Sequence, residues 1–100
     1  MILEQRDSGA YVVLAHLRRG SIQVREGASV VAGQQVAACG NSGNSTQPHL
    51  HLQVMSSPDP FSANGLPISF RDYRVWRRRS GPPVVVALGI PDESDVVEPL

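Results

Sequence analysis

Two histidines separated by one leucine, His49 and His51, close a run of small residues that begins at Gly40 and reads G-N-S-G-N-S-T-Q-P-H-L-H. Imidazole is the commonest metal-binding side chain and the commonest acid or base near neutral pH. From Leu50 to Met55 apolar and polar residues alternate. A period of two means a strand whose successive side chains point to opposite faces. Leu50, Leu52 and Val54 are then expected in a core. His49, His51 and Gln53 share the other face, with the two imidazoles side by side. A strand start gives both rings a rigid base, and the loop beside them gives substrate a way in. The plain alternative is two polar residues on a solvated strand face, and H-x-H alone does not decide between them.

A third histidine lies upstream. Met1 to Gln5 is a short apolar start, and Arg6-Asp7-Ser8-Gly9-Ala10 carries turn residues. Tyr11 to Leu17, Y-V-V-L-A-H-L, is rich in β-branched and aromatic residues. Two such runs about a turn apart read as a β-hairpin. On its second strand His16 shares a face with Val12 and Leu14. Taken alone, a histidine there is more often a hydrogen-bonded core residue than a catalytic one. Residues 24–36 read V-x-x-G-x-x-V-x-x-G-Q-x-V. That spacing predicts tight turns joining very short strands, with Gly27 and Gly33 free to take positive φ.

These residues carry a family resemblance. Gly40, Ser42, Gly43, Ser45, Thr46, Pro48, His49, Leu50 and His51 fill every specified position of G-x-[ST]-G-x-[ST]-T-x-P-H-[LV]-H. That is the signature of the lysostaphin-type zinc metallopeptidases, which this chain resembles from about Met1 to Met55. Gln47 stands where glycine is frequent. Tyr11, His16 and Leu17 match the family's Y-x-x-x-x-H-L. The valine–glycine pattern of 24–36 occurs there too, and also in biotinyl and lipoyl carrier domains. The resemblance implies an all-β fold, a partial antiparallel β-sandwich of the duplicated hybrid motif kind. It implies hydrolysis of peptidoglycan cross-bridge or stem peptides by zinc-activated water. It makes His51 a zinc ligand, and His16 and His49 the catalytic pair that handles protons and stabilises the oxyanion.

One part of the family pattern has no counterpart. The other two zinc ligands of such enzymes come from H-x-x-x-D, yet His16 is the first histidine and the fourth residue after it is Gly20. The expectation is therefore a truncated catalytic domain, lacking its opening strands and two of three zinc ligands and inactive by itself. A different metal site built from His16, His49 and His51 is a further option. A non-catalytic binding or regulatory module on the same fold competes with the peptidase reading. A carrier domain needs a lysine for its cofactor, and the chain has none.

One hundred residues suit one small domain. Zero formal net charge gives no bulk attraction to nucleic acid or anionic membrane. Cys39 is alone, so no intrachain disulfide forms. It ends the apolar run V-A-A-C and is expected to be buried. No apolar run approaches the roughly 20 residues of a membrane-spanning helix. The start, M-I-L-E-Q-R, lacks the basic and apolar regions of a secretory leader, although the family works in the cell envelope or outside it. Arg18 and Arg19 read as solvated loop charges, with a substrate-carboxylate role as the alternative. Asn44-Ser45-Thr46 fits a glycosylation sequon and is read as chance.

After Met55 the composition changes. Ser56 to Pro60 is a loop, since Pro58 and Pro60 preclude regular structure. Phe61 to Asn64 suits one helical turn. Leu66 to Trp76 suits a strand bearing Arg71 and Arg74, followed by Arg77, Arg78 and Arg79. These arginines read as a solvated strand edge, with a nucleic-acid or membrane patch as the alternative. Val84 to Leu88 suits an edge strand, and an acidic tail follows that is expected to be flexible or folded back on the arginines. The expected organisation is a peptidase-type domain over 1–79, with its core in 1–55, and a C-terminal extension over 80–100.

Overall fold

The apolar start and the β-branched run after it form the expected hairpin. β1 (Ile2–Glu4) pairs antiparallel with β2 (Tyr11–Ala15), closed by a loop in which Gln5 N–H donates to Ala10 O at 2.8 Å. β3 (His51–Met55) pairs antiparallel with β2, and β4 (Gly65–Leu66) pairs with β3. The sheet order is β1-β2-β3-β4. Leu3, Val12, Val54 and Leu66 lie opposite one another across all four strands. A one-residue slip would move this apolar row to the other face, so the row pins the register. Glu4, Tyr11, Met55 and Gly65 form the row beside it. The computed structural model describes residues 1–43, 45–77 and 81–100. Asn44 of the sequon, Arg78 and Arg79 of the arginine run, and Ser80 lie outside the described residues.

A second sheet has the order β6-β5-β7, with β5 (Phe70–Trp76), β6 (Val84–Gly89) and β7 (Val96–Pro99), again antiparallel. The described residues are thus all-β, with no helix. The chain divides into two compact units, Met1–Leu66 and Pro67–Leu100. The first sheet belongs to one unit and the second sheet to the other. The described stretch 67–77 therefore clusters with the C-terminal residues.

Several local expectations differ from the structure. The second strand stops at Ala15, not Leu17, because His16 takes the left-handed backbone conformation. Leu50 is 49% exposed rather than in the core. The ladder with β2 begins only at His51, so Leu50 lies ahead of the apolar row. Residues 24–36 make turns but no strands. Ala28 N–H donates to Arg25 O and Gln34 N–H to Val31 O, with Gly27 and Gly33 at φ 84° and 83°. Cys39 is exposed, not buried. The turn expected at 61–64 starts at Asp59, whose carboxylate accepts from Phe61 N–H and Ser62 Oγ–H.

The C-terminal stretch shows the largest differences. β5 is the central strand of its sheet, not an edge, because β-branched runs pair on both of its sides. Val96–Pro99, expected in a flexible tail, is β7. One acidic residue does fold back on an arginine: Arg74 Nη1 donates to Glu98 Oε1 at 2.9 Å.

Among the described residues few side chains are fully enclosed. Ala10 and Met55 are buried in the first unit, and Tyr73 and Val75 in the second. A small chain with so little enclosed apolar surface is marginal, so single core residues dominate its stability. Met55, only 1% exposed, is the largest of those in the first unit. Met55→Ala is expected to cost about 2–5 kcal/mol. Arg74→Gln, which breaks a half-exposed surface pair, is expected to cost no more than about 1 kcal/mol. Urea titration of both variants checks the contrast.

Candidate functional site

The loop that carries the histidines is built on one glycine. Gly40 N–H donates to His16 O at 2.9 Å, and Gly40 O accepts from His49 N–H at 3.0 Å. One residue thereby joins the backbones of two histidines that lie 33 positions apart in the sequence. Around it Leu17 bridges to Cys39 and Gly40 to His49, both antiparallel, and Arg18 N–H donates to Ala38 O at 2.8 Å. No side chain fits at Gly40. A Cβ there would lie 2.5 Å from both Cα and N of Arg18, closer than real carbon contacts allow. This is the close backbone approach that a glycine inside extended structure often marks.

The three rings gather here. The His16 and His49 ring centroids are 4.6 Å apart, and those of His16 and His51 are 5.7 Å apart. His16 and His49 are half-buried and His51 is exposed. His16 has a φ of 63°. A non-glycine residue there is uncommon and carries a strain of about 1–3 kcal/mol. Strain of that kind persists where its surroundings over-determine it, and here two hydrogen bonds do so. One is the bond from Gly40. The other runs from His16 Nδ1 to Ser42 O, at 2.8 Å.

Each ring has one nitrogen engaged. A backbone carbonyl only accepts, so Nδ1 of His16 carries the hydrogen in its bond to Ser42 O. The same holds for His49, whose Nδ1 lies 2.8 Å from Gln47 O and 3.2 Å from Ser45 Oγ. His51 is turned the other way: its Nε2 donates to Gln53 Oε1 at 2.9 Å. Among the described residues, Nε2 of His16 and His49, and Nδ1 of His51, are the nitrogens left without a hydrogen-bond partner. Metal-ligating imidazoles typically bond a protein acceptor through their other nitrogen, and His51 has a bond of that kind to Gln53. The motif signalled the histidines directly. It signalled Ser42 and Gln53 only as a loop residue and a face neighbour, without their bonds.

Those donors do not make a zinc centre by themselves. Among the described residues no three His, Cys, Asp or Glu side chains are grouped so as to hold a metal ion. A catalytic zinc needs three protein ligands and an open position, and the three rings do not fit that requirement. Beside His16 an open cleft is lined by Val13, Ala15, Leu17, Arg18, Arg19 and Ser42. Both arginines are exposed.

Residues 1–65 match Peptidase family M23. No curated protein and no solved structure matches the chain.

The geometry makes Gly40 the test of the site. Gly40→Ala is expected to destabilise the chain by about 1–3 kcal/mol, the usual range for overpacking. It is also expected to separate the His16 and His49 rings. Loss of the proton–proton Overhauser contacts between the two rings, in a variant that keeps its β-sheet amide pattern, is the readout.

Proposed function

We propose, since the chain belongs to Peptidase family M23, that it carries the proton-handling half and one metal donor of a zinc metalloendopeptidase acting on peptidoglycan peptides. The family is generally zinc-dependent. The observation that carries this reading is the gathering of three imidazoles around Gly40, each with one nitrogen tied back and one left over. His16 and His49 are assigned the acid–base work: a free Nε2 lone pair accepts a proton and later returns it. Their backbones are fixed, so the proton is received and released at defined positions. His51, held by Gln53, is assigned as the metal donor.

Zinc is the expected cofactor of the completed site, and the other donors are assigned to protein outside these 100 residues. Recruiting His16 and His49 as ligands would remove them as proton carriers. Peptidoglycan cross-bridge or stem peptides are the proposed substrates, and the cleft beside His16 is the proposed approach. A non-catalytic binding module is the second reading, and the absence of a three-donor group among the described residues favours it.

The test uses the 100-residue chain with and without a fused preceding segment carrying H-x-x-x-D. The chain alone is expected to hold no stoichiometric zinc and to leave cross-bridge peptides intact. The fused protein is expected to bind zinc and to cleave them in a chelator-sensitive manner. In it, His49→Ala and His16→Ala should lower kcat by about 10²–10⁴-fold with zinc retained, while His51→Ala should lose zinc. Zinc-loaded fused protein that binds the peptides without cutting them would favour the binding module. Stoichiometric zinc with chelator-sensitive cleavage by the 100 residues alone would overturn the assignment of missing donors.

A further inference from the structure

The geometry points to Ser42 as a positioning residue that selects the tautomer of His16, so that the ring turns a basic Nε2 toward the site. This deepens the acid–base role proposed above and rests on it for its meaning, though not for its test.

A neutral imidazole has two tautomers, and only the one protonated at Nδ1 has a basic Nε2. A hydrogen bond to the other nitrogen makes the choice. For His16 that bond goes to the carbonyl of Ser42, at 2.8 Å. The carbonyl lies in a glycine-flanked loop, between Gly40 and Gly43, and something must hold it. The Ser42 hydroxyl does so by donating to Leu17 O at 2.6 Å. Leu17 is the residue next to His16, so the bond ties the loop to the same turn of chain that carries the ring. Ser42 thus contacts the His16 segment twice, once through its carbonyl and once through its hydroxyl. Both groups are half-buried, which shields the bonds from competing water.

His49 has a parallel arrangement with different parts. Gln47 O takes its Nδ1–H, and Ser45 Oγ donates to that same Gln47 O at 2.9 Å. His51 is the built-in contrast, because its Nε2–H is the engaged group. Two rings are therefore set in one tautomer and the third in the other. The two with basic Nε2 are the pair 4.6 Å apart. Removing the Ser42 hydroxyl leaves the carbonyl in the chain but frees the loop that aims it. His16 then reverts toward the Nε2–H form that unconstrained imidazole favours, and Nε2 ceases to be a base.

The experiment is a long-range proton–nitrogen correlation spectrum of the imidazoles in the nitrogen-15-labelled 100-residue chain, at a pH where the rings are neutral. No metal, substrate or activity is needed, so failure here and failure of the peptidase reading are separable. The wild-type chain is expected to show pyridine-type Nε2 for His16 and His49 and pyridine-type Nδ1 for His51. In Ser42→Ala the pyridine-type signal of His16 should move to Nδ1, with His49 and His51 unchanged. Ser42→Thr, which keeps the hydroxyl, should restore the wild-type pattern. If Ser42→Ala does not fold, Ser42→Cys keeps the volume with a much weaker donor and should show the same His16 change. A wild-type His16 with pyridine-type Nδ1 would overturn the inference. So would a folded Ser42→Ala or Ser42→Cys chain with His16 unaltered.

Discussion

The site depends on how closely the backbone of Gly40 approaches that of Leu17 and Arg18. With hydrogen as its side chain, Gly40 lies against Arg18 where a Cβ would be 2.5 Å from two backbone atoms. Only at that separation does its N–H reach His16 O while its C=O receives His49 N–H. His16 follows the end of β2, and His49 precedes the start of β3. The β2–β3 ladder brings them near, since Ala15 pairs with His51. Gly40 fixes the last few ångströms.

The left-handed backbone at His16 then resolves a conflict that strand periodicity creates. Ala15 lies directly opposite His51, so their side chains share a face. Continuing the alternation would send the next side chain, His16, to the opposite face, with Val12 and Leu14. The observed ring lies 5.7 Å from that of His51. A φ of 63° interrupts the alternation and turns His16 toward the other imidazoles. The conformation that costs stability is thus the one that assembles the cluster. Histidine is among the residues that tolerate this region better than branched side chains do.

This explains what could be read from the sequence and what could not. The hairpin and the strand after the loop both follow from period-two patterns, which report local geometry. The positive φ at Gly27 and Gly33 follows from glycine spacing. The gathering of His16 with the other two rings was expected from family resemblance, but the means was not. No periodicity announces a left-handed histidine, because the cause lies in hydrogen bonds to Gly40 and Ser42, more than twenty residues away. Leu50 and Cys39 were misplaced for a related reason: both lie at partner switches, where an apolar run no longer reports one buried face. The C-terminal sheet was half legible. Val84 to Leu88 reads as a strand by its β-branched content, whereas Val96–Pro99 is short and ends in proline. Its strand character comes from pairing with β5, a contact between residues too far apart for a local pattern.

The arrangement of nitrogens separates two jobs that a three-histidine cluster would otherwise confuse. Three neutral imidazoles offer three lone pairs, and a metal ion would compete for all of them. Here the loop and the strand engage different atoms of different rings. Backbone carbonyls of the loop hold Nδ1 of His16 and His49, while a strand side chain, Gln53, holds Nε2 of His51. His51 is therefore presented through the opposite nitrogen from the other two, and from a strand rather than from a turn. A ligand that needs donors converging on one point finds only a partial set, in keeping with the absence of a three-donor group among the described residues. A proton has a simpler requirement, since one basic nitrogen in a fixed place suffices to accept it. Under the proposed function, this geometry suits proton transfer at His16 and His49 better than metal binding by these residues alone.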